Sequence, residues 1–215
     1  MSLARVCFVL LTFFAALNYL KAEPRGDLRH LPSAAPSLEA INESMDFGKE
    51  CSSFVDKGTF RAWAKYIQRA FKNHDFEYLM HGPKDFFEYC PRYTFLPDQE
   101  KINVWIVVMN AMAHYESTCK VKAPAKGPNG DLTGLLQFHA KRERYYGSLC
   151  KNGDAKDPER TFVCGLSMLD EQIARDEVLF SRKSYWDVLR PQARSEKYLQ
   201  IIDALRAYRL CQRYN

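Results

Sequence analysis

From Val104 to Ala113 the chain reads VWIVVMNAMA, apolar on every side except at Asn110. A helix of that kind has no face to offer water and belongs in the centre of a domain. The β-branched residues of the run would also suit a buried strand. The length of the segment that Pro97 and Asp98 open, DQEKINVWIVVMNAMAHYE, and the Ala and Met residues near its end favour a helix.

The chain of 215 residues is long enough for one good core and an added lobe. Residues 58–73 carry Phe60, Trp63, Ile67 and Phe71 near helical spacing. After a loop rich in Pro, Gly and Lys, TGLLQFHAKRERYYG reads as the start of another helix. Asp157 and Pro158 read as the cap and first residue of a helix that runs to about Asp176. Residues 195–213 read as a last amphipathic helix, with Tyr198, Ile201, Ile202, Leu205, Tyr208 and Leu210. No convincing hairpin signal is present. The fold class expected is mainly α, with a buried central helix and disulfide support.

The N-terminus has a different character. Arg5 precedes VCFVLLTFFAALNYL, and Ala22 puts a small residue at a plausible cut, so residues 1–22 read as a secretory signal peptide. The run is too short and wrongly flanked for a stable membrane span. Residues 23–40 are polar and Pro-rich and read as a linker or arm. Residues 41–97 are expected to form a helical extension packed on a domain of residues 98–215. Loss of Arg5 and Lys21 with the leader lowers the formal charge from +5 to +3. A mildly basic exported protein can approach anionic polymers of a cell envelope. No dense Lys/Arg cluster with interleaved aromatics suggests nucleic acid. The expected localisation is secreted or periplasmic, as a monomer.

Cys7 leaves with the leader. Cys51, Cys90, Cys119, Cys150, Cys164 and Cys211 remain. An even set in an exported chain favours disulfides, and Cys150 with Cys164 is the best local pair. No CxxC or CxxH spacing supports a zinc site, and no cofactor is expected.

Glu116 stands where the apolar helix ends. Apolar surroundings and the negative end of the helix dipole both disfavour its charged form, while Lys120 and Lys122, if close, would oppose them. A carboxyl kept protonated near neutrality is a general acid of the kind that breaks glycosidic bonds. The plainer alternative is a solvated glutamate at a helix end.

The segment from Glu116 onward resembles the lysozyme-like superfamily, specifically the soluble lytic transglycosylase and goose-type lysozyme group. Three motifs carry the resemblance across roughly residues 98–212. They are Glu116-Ser117, Gly134-Leu135-Leu136-Gln137, and Thr161 to Leu169, which stands for an Asn-Ile-x-x-Gly-x-x-Tyr-Leu-like segment. The resemblance implies a peptidoglycan-cleaving muramidase with Glu116 as acid and later base. Ser117 would support the site by hydrogen bonds, Gly134 would let a sugar approach the backbone, and Gln137 would help set the cleft floor. The chain departs from the pattern at Asp131, where Gly is usual, at Phe162, where Ile is usual, and at Met168, where a substrate-facing Tyr is expected. Tyr145, Tyr146 or Tyr185 would have to replace that Tyr.

A hydrolase usually needs a second carboxylate, whereas a lytic transglycosylase uses the sugar's own 6-hydroxyl. The candidates are Asp131 and Glu143, the latter otherwise a surface charge among Lys141, Arg142 and Arg144. An added acid would also recognise the free ammonium of a deacetylated sugar. The expected partner is therefore a peptidoglycan strand, acetylated or deacetylated. The alternatives are an inactive wall- or partner-binding module on the same scaffold, or a structural helical domain.

Overall fold

The computed structural model describes residues 47–127 and 129–213. The expected leader and Pro-rich arm lie outside the described residues. Six helices are described: α1 (Ala62–Asn73), α2 (Glu77–His81), α3 (Phe86–Tyr89), α4 (Asp98–Ser117), α5 (Pro158–Asp176) and α6 (Lys197–Ala207). The described chain is mainly helical, with two small antiparallel sheets. One pairs β1 (Val55–Asp56) with β2 (Thr59–Phe60). The other has the order β3 (Pro124–Gly127), β4 (Gly130–Thr133), β5 (Phe138–His139).

The apolar run is the centre of α4, and residues 103–113 are all buried. Around it pack α1, α2 and α6, while α1 and α2 also pack on α5. Trp105, fully buried, donates its indole N–H to the Tyr93 hydroxyl at 2.8 Å, and Tyr93 donates to the Leu79 carbonyl at 2.6 Å. A buried indole and phenol each need such a partner. One apolar cluster runs from Cys51 to Cys211, so residues 47–97 share the core of the residues that follow. Asp157 caps α5 as expected: its Oδ1 accepts from the Arg160 N–H at 2.9 Å, with Pro158 in the first turn.

Three disulfides join Cys51 to Cys119, Cys90 to Cys211 and Cys150 to Cys164. Such bonds belong to an oxidising compartment. Among the described residues no helix is long and apolar enough to cross a membrane.

Four expectations are corrected. The helix expected from residue 58 starts at Ala62, because Val55 to Phe60 form a hairpin. The helix expected from TGLLQ does not form. Gly134 and Gln137 take positive φ (84° and 50°), and the chain doubles back so that Thr133 pairs with Phe138 and Leu132 with His139. A second hairpin, without a convincing signal in the sequence, is β3–β4, with Gly127 opposite Gly130. The last helix spans only 197–207, because Glu196 before it is left-handed (φ 48°), and a separate 3-10 turn covers 209–211.

Candidate active site

Glu116 is the penultimate residue of α4, and the chain leaves the helix abruptly. Thr118 and Cys119 both adopt left-handed backbone (φ 52° and 56°). Their N–H groups return to the carbonyls of His114 (2.8 Å) and Ala113 (3.0 Å), satisfying the helix end. The Cys51–Cys119 bridge then anchors the turn three residues after Glu116. Ser117 makes the next tie. Its buried hydroxyl lies 3.0 Å from the Ala113 carbonyl and 2.9 Å from that of Leu135, joining α4 to the Gly134–Gln137 turn.

That turn is held from several sides. Gln137 donates its amide to the carbonyls of Gly134 (2.8 Å) and Ala123 (3.0 Å). Trp186 donates its indole N–H to the Leu136 carbonyl at 2.8 Å. Gly165 of α5 allows the turn to sit close: a Cβ there would come 2.6 Å from the Leu136 side chain and 3.1 Å from Met109. Gly134 is explained by protein rather than sugar. A Cβ on it would fall 2.1 Å from the Ala155 carbonyl oxygen, so another backbone already occupies the approach.

A cleft of about 580 Å³ opens over this floor. Of the residues singled out from sequence, Glu116, Gln137, Tyr145 and Tyr146 line it. Tyr185 lines it as well, its ring 4.8 Å from that of Tyr146, so tyrosines do surround the place where Met168 stands on the wall. Ser117 and Gly134 support the floor from beneath. Asp131 is exposed on β4 and ion-paired with Lys126; its neighbours Asn129 and Leu132 reach the cleft, and it does not. Glu143 is neither a cleft residue nor a surface charge. A 3-10 turn replaces the expected helix and buries the side chain, whose Oε1 accepts from the Gly153 N–H at 3.2 Å.

Burial pushes the Glu116 carboxyl up from 4.5 to about 7. Lys197 opposes this most, the negative charge of Asp187 adds to it, and a hydrogen bond from the Val188 N–H and the charge of Arg190 lower it again. Lys197, not Lys120 or Lys122, is thus the principal opposing lysine. Its ammonium donates to the Tyr115 carbonyl at 2.7 Å, at the negative end of α4. Removing it should raise the Glu116 pKa. For Lys197→Met, the alkaline limb of any rate that needs the protonated acid should move to higher pH. Loss of a helix-end cation should cost about 0.3–1 kcal/mol of stability. A pH–rate profile with a thermal melt checks both, and an unmoved limb would show that Lys197 does not act on the carboxyl.

Reasoning from sequence missed His139, Asp187, Arg190 and Lys197. Burial, and after it the charge of Arg142, lower the pKa of His139. It packs by Tyr146, and its Nδ1 lies 2.8 Å from the Tyr185 hydroxyl, which also accepts from the His139 N–H at 2.8 Å. No spacing pattern announces these residues, because three of the four lie more than sixty positions after Glu116. Among the described residues no group of three His, Cys, Asp or Glu side chains could hold a metal ion.

No protein-family model matches the chain, and no curated protein matches it. Among solved structures it is similar to Bd0314 DslA. The wild-type form 2 of that protein superposes with a TM-score of 0.60 at 24% identity, covering 70% of this chain and 91% of that one. A glutamate-to-glutamine mutant of the same protein gives 0.61 at 23% identity over the same shares. What the two chains share at this identity is the fold.

Proposed function

We propose that this chain is a secreted muramidase that breaks the β-1,4 glycosidic bond of peptidoglycan strands, with Glu116 as general acid and then base. The observation that carries the reading is the Glu116 carboxyl, at the end of a buried helix and on the wall of an open cleft, with its pKa raised to about 7. At pH 7 about half of such a group is protonated, against well under 1% for an ordinary glutamic acid. A sugar oxygen is a poor leaving group unless it receives a proton as the bond breaks. Tyr145, Tyr146 and Tyr185 offer flat, amphipathic faces beside the acid, suited to sugar rings. The lysozyme-like motifs around Glu116 and Gly134 lend support, since their residues meet at this floor.

The test is digestion of purified cell walls followed by mass spectrometry of the released muropeptides. Release of disaccharide-containing fragments is expected. If folded protein releases none, the chain is a binding module on this scaffold instead. Parallel digestion of acetylated and deacetylated walls asks whether the cleft reads a free ammonium; equal turnover of both would remove that preference.

A further inference from the structure

Apart from Glu116, the cleft has one carboxylate in its lining, and it is neither of the two the sequence suggested. Asp187 opens the 3-10 turn of residues 187–189 on the cleft wall. The residue after it, Val188, gives its N–H to Glu116, so the two acids are joined through one short piece of backbone. The turn itself is braced. Arg190 donates from Nε to the Ser184 carbonyl at 2.7 Å, from Nη2 to the Tyr185 carbonyl at 3.3 Å, and from Nη1 to Asp187 Oδ1 at 2.7 Å. Oδ2 of Asp187 has no partner among the described residues. The side chain is 73% exposed, so water reaches it. A carboxylate with one oxygen clamped and the other open to solvent, in the same cleft lining as Glu116 and close enough for its charge to act on that acid, is arranged to take a proton from water.

We infer that Asp187 is the second carboxylate of the site and that it activates the attacking water, so the reaction ends in hydrolysis rather than in an internal ring closure. This rests on the reading of Glu116 as the acid and transfers the later base role from Glu116 to Asp187. The bond from the anomeric carbon to the bridging oxygen breaks, and the Glu116 proton goes to that oxygen. The oxygen of a water molecule bonds to the anomeric carbon, and its proton goes to Asp187 Oδ2. The product has a free reducing end. The site resets when solvent returns a proton to Glu116 and removes one from Asp187. An intramolecular attack by the 6-hydroxyl would leave a 1,6-anhydro end and take nothing from solvent.

Digestion of cell walls in ¹⁸O-water separates the outcomes. Wild-type products should carry one ¹⁸O at the new reducing end. Asp187→Asn should cut about 10²–10⁴-fold more slowly, the usual loss when a general base is removed. Asp187→Ala supplied with azide should regain turnover and yield a glycosyl azide, because the anion attacks without needing a base. Wild-type products with anhydro ends and no label would overturn the inference. So would an Asp187→Asn protein at the wild-type rate, or a loss in Asp187→Ala that azide does not repair, which would mark Asp187 as structural through its Arg190 pair. If Glu116→Gln is dead while Asp187→Asn is unchanged, only this inference falls. If the wild type cuts nothing, the reading of Glu116 falls and this one with it.

Discussion

Glu116→Gln protein will fold, melt at or above the wild-type temperature, and clear purified cell walls about 10²–10⁴-fold more slowly. Glutamine keeps the shape and the hydrogen-bonding capacity of the carboxyl but has no proton to transfer. The stability change has a sign that depends on pH. The folded pKa of Glu116 is raised from 4.5 to about 7. Stability from its protonated form is therefore fully present below about pH 4.5 and is lost as pH rises through 7. Glutamine does not titrate, so the variant's advantage should be absent at pH 4, grow between 4.5 and 7, and level off above that. Its ceiling is about 3 kcal/mol, from the size of the shift. Thermal melts across pH, beside turbidity assays, measure both halves. A folded variant that clears walls at the wild-type rate would remove Glu116 from the mechanism.

Gly134→Ala should have the largest effect on stability. The position needs φ of +84°, which costs an alanine about 1–2 kcal/mol. The added methyl would also sit 2.1 Å from the Ala155 carbonyl oxygen. Backbone cannot rotate away as a side chain can, so either the residue 153–157 segment or the turn must shift, at about 1–3 kcal/mol more. The sum, about 2–5 kcal/mol, corresponds to a melting point lowered by roughly 5–15 °C in a domain of this size. Activity should fall as well, because the same turn carries the Leu135 carbonyl that holds Ser117 and the Gln137 floor. An unchanged melting point would mean that the turn moves freely and does not fix the floor.

The parts that could be read from sequence are those where neighbours in the chain are also neighbours in space. The all-round apolarity of residues 104–113 places α4 in the centre. The Asp157-Pro158 pair starts α5 where it should, and Cys150 bridges Cys164 across a short loop. The β3–β4 hairpin was harder, because Lys, Gly and Asp stand where strands usually carry β-branched residues. Asn129-Gly130 was nonetheless a turn signal in plain view. The Gly134–Gln137 turn looked helical because its Leu residues are buried. What makes it a turn is tertiary: Ser117 and Trp186 hold its carbonyls, and Ala155 crowds Gly134. Glu116 was legible because a helix end and an apolar run sit beside it. Asp187, Arg190 and Lys197 were not, since only folding brings them to it.

That long-range assembly has a consequence for the order of events in a newly made chain. Glu116 emerges about 80 residues before Lys197, several seconds at synthesis rates of ~5–20 residues per second. The Val188 N–H and the Tyr185 wall also arrive late, and the Cys90–Cys211 bond cannot close until residue 211 is out. Until those pieces dock, Glu116 lies at the end of an uncovered helix, where water solvates its charge and it titrates like any glutamate. A nascent or truncated chain that stops before residue 185 therefore carries the acid but holds almost no proton on it at neutral pH.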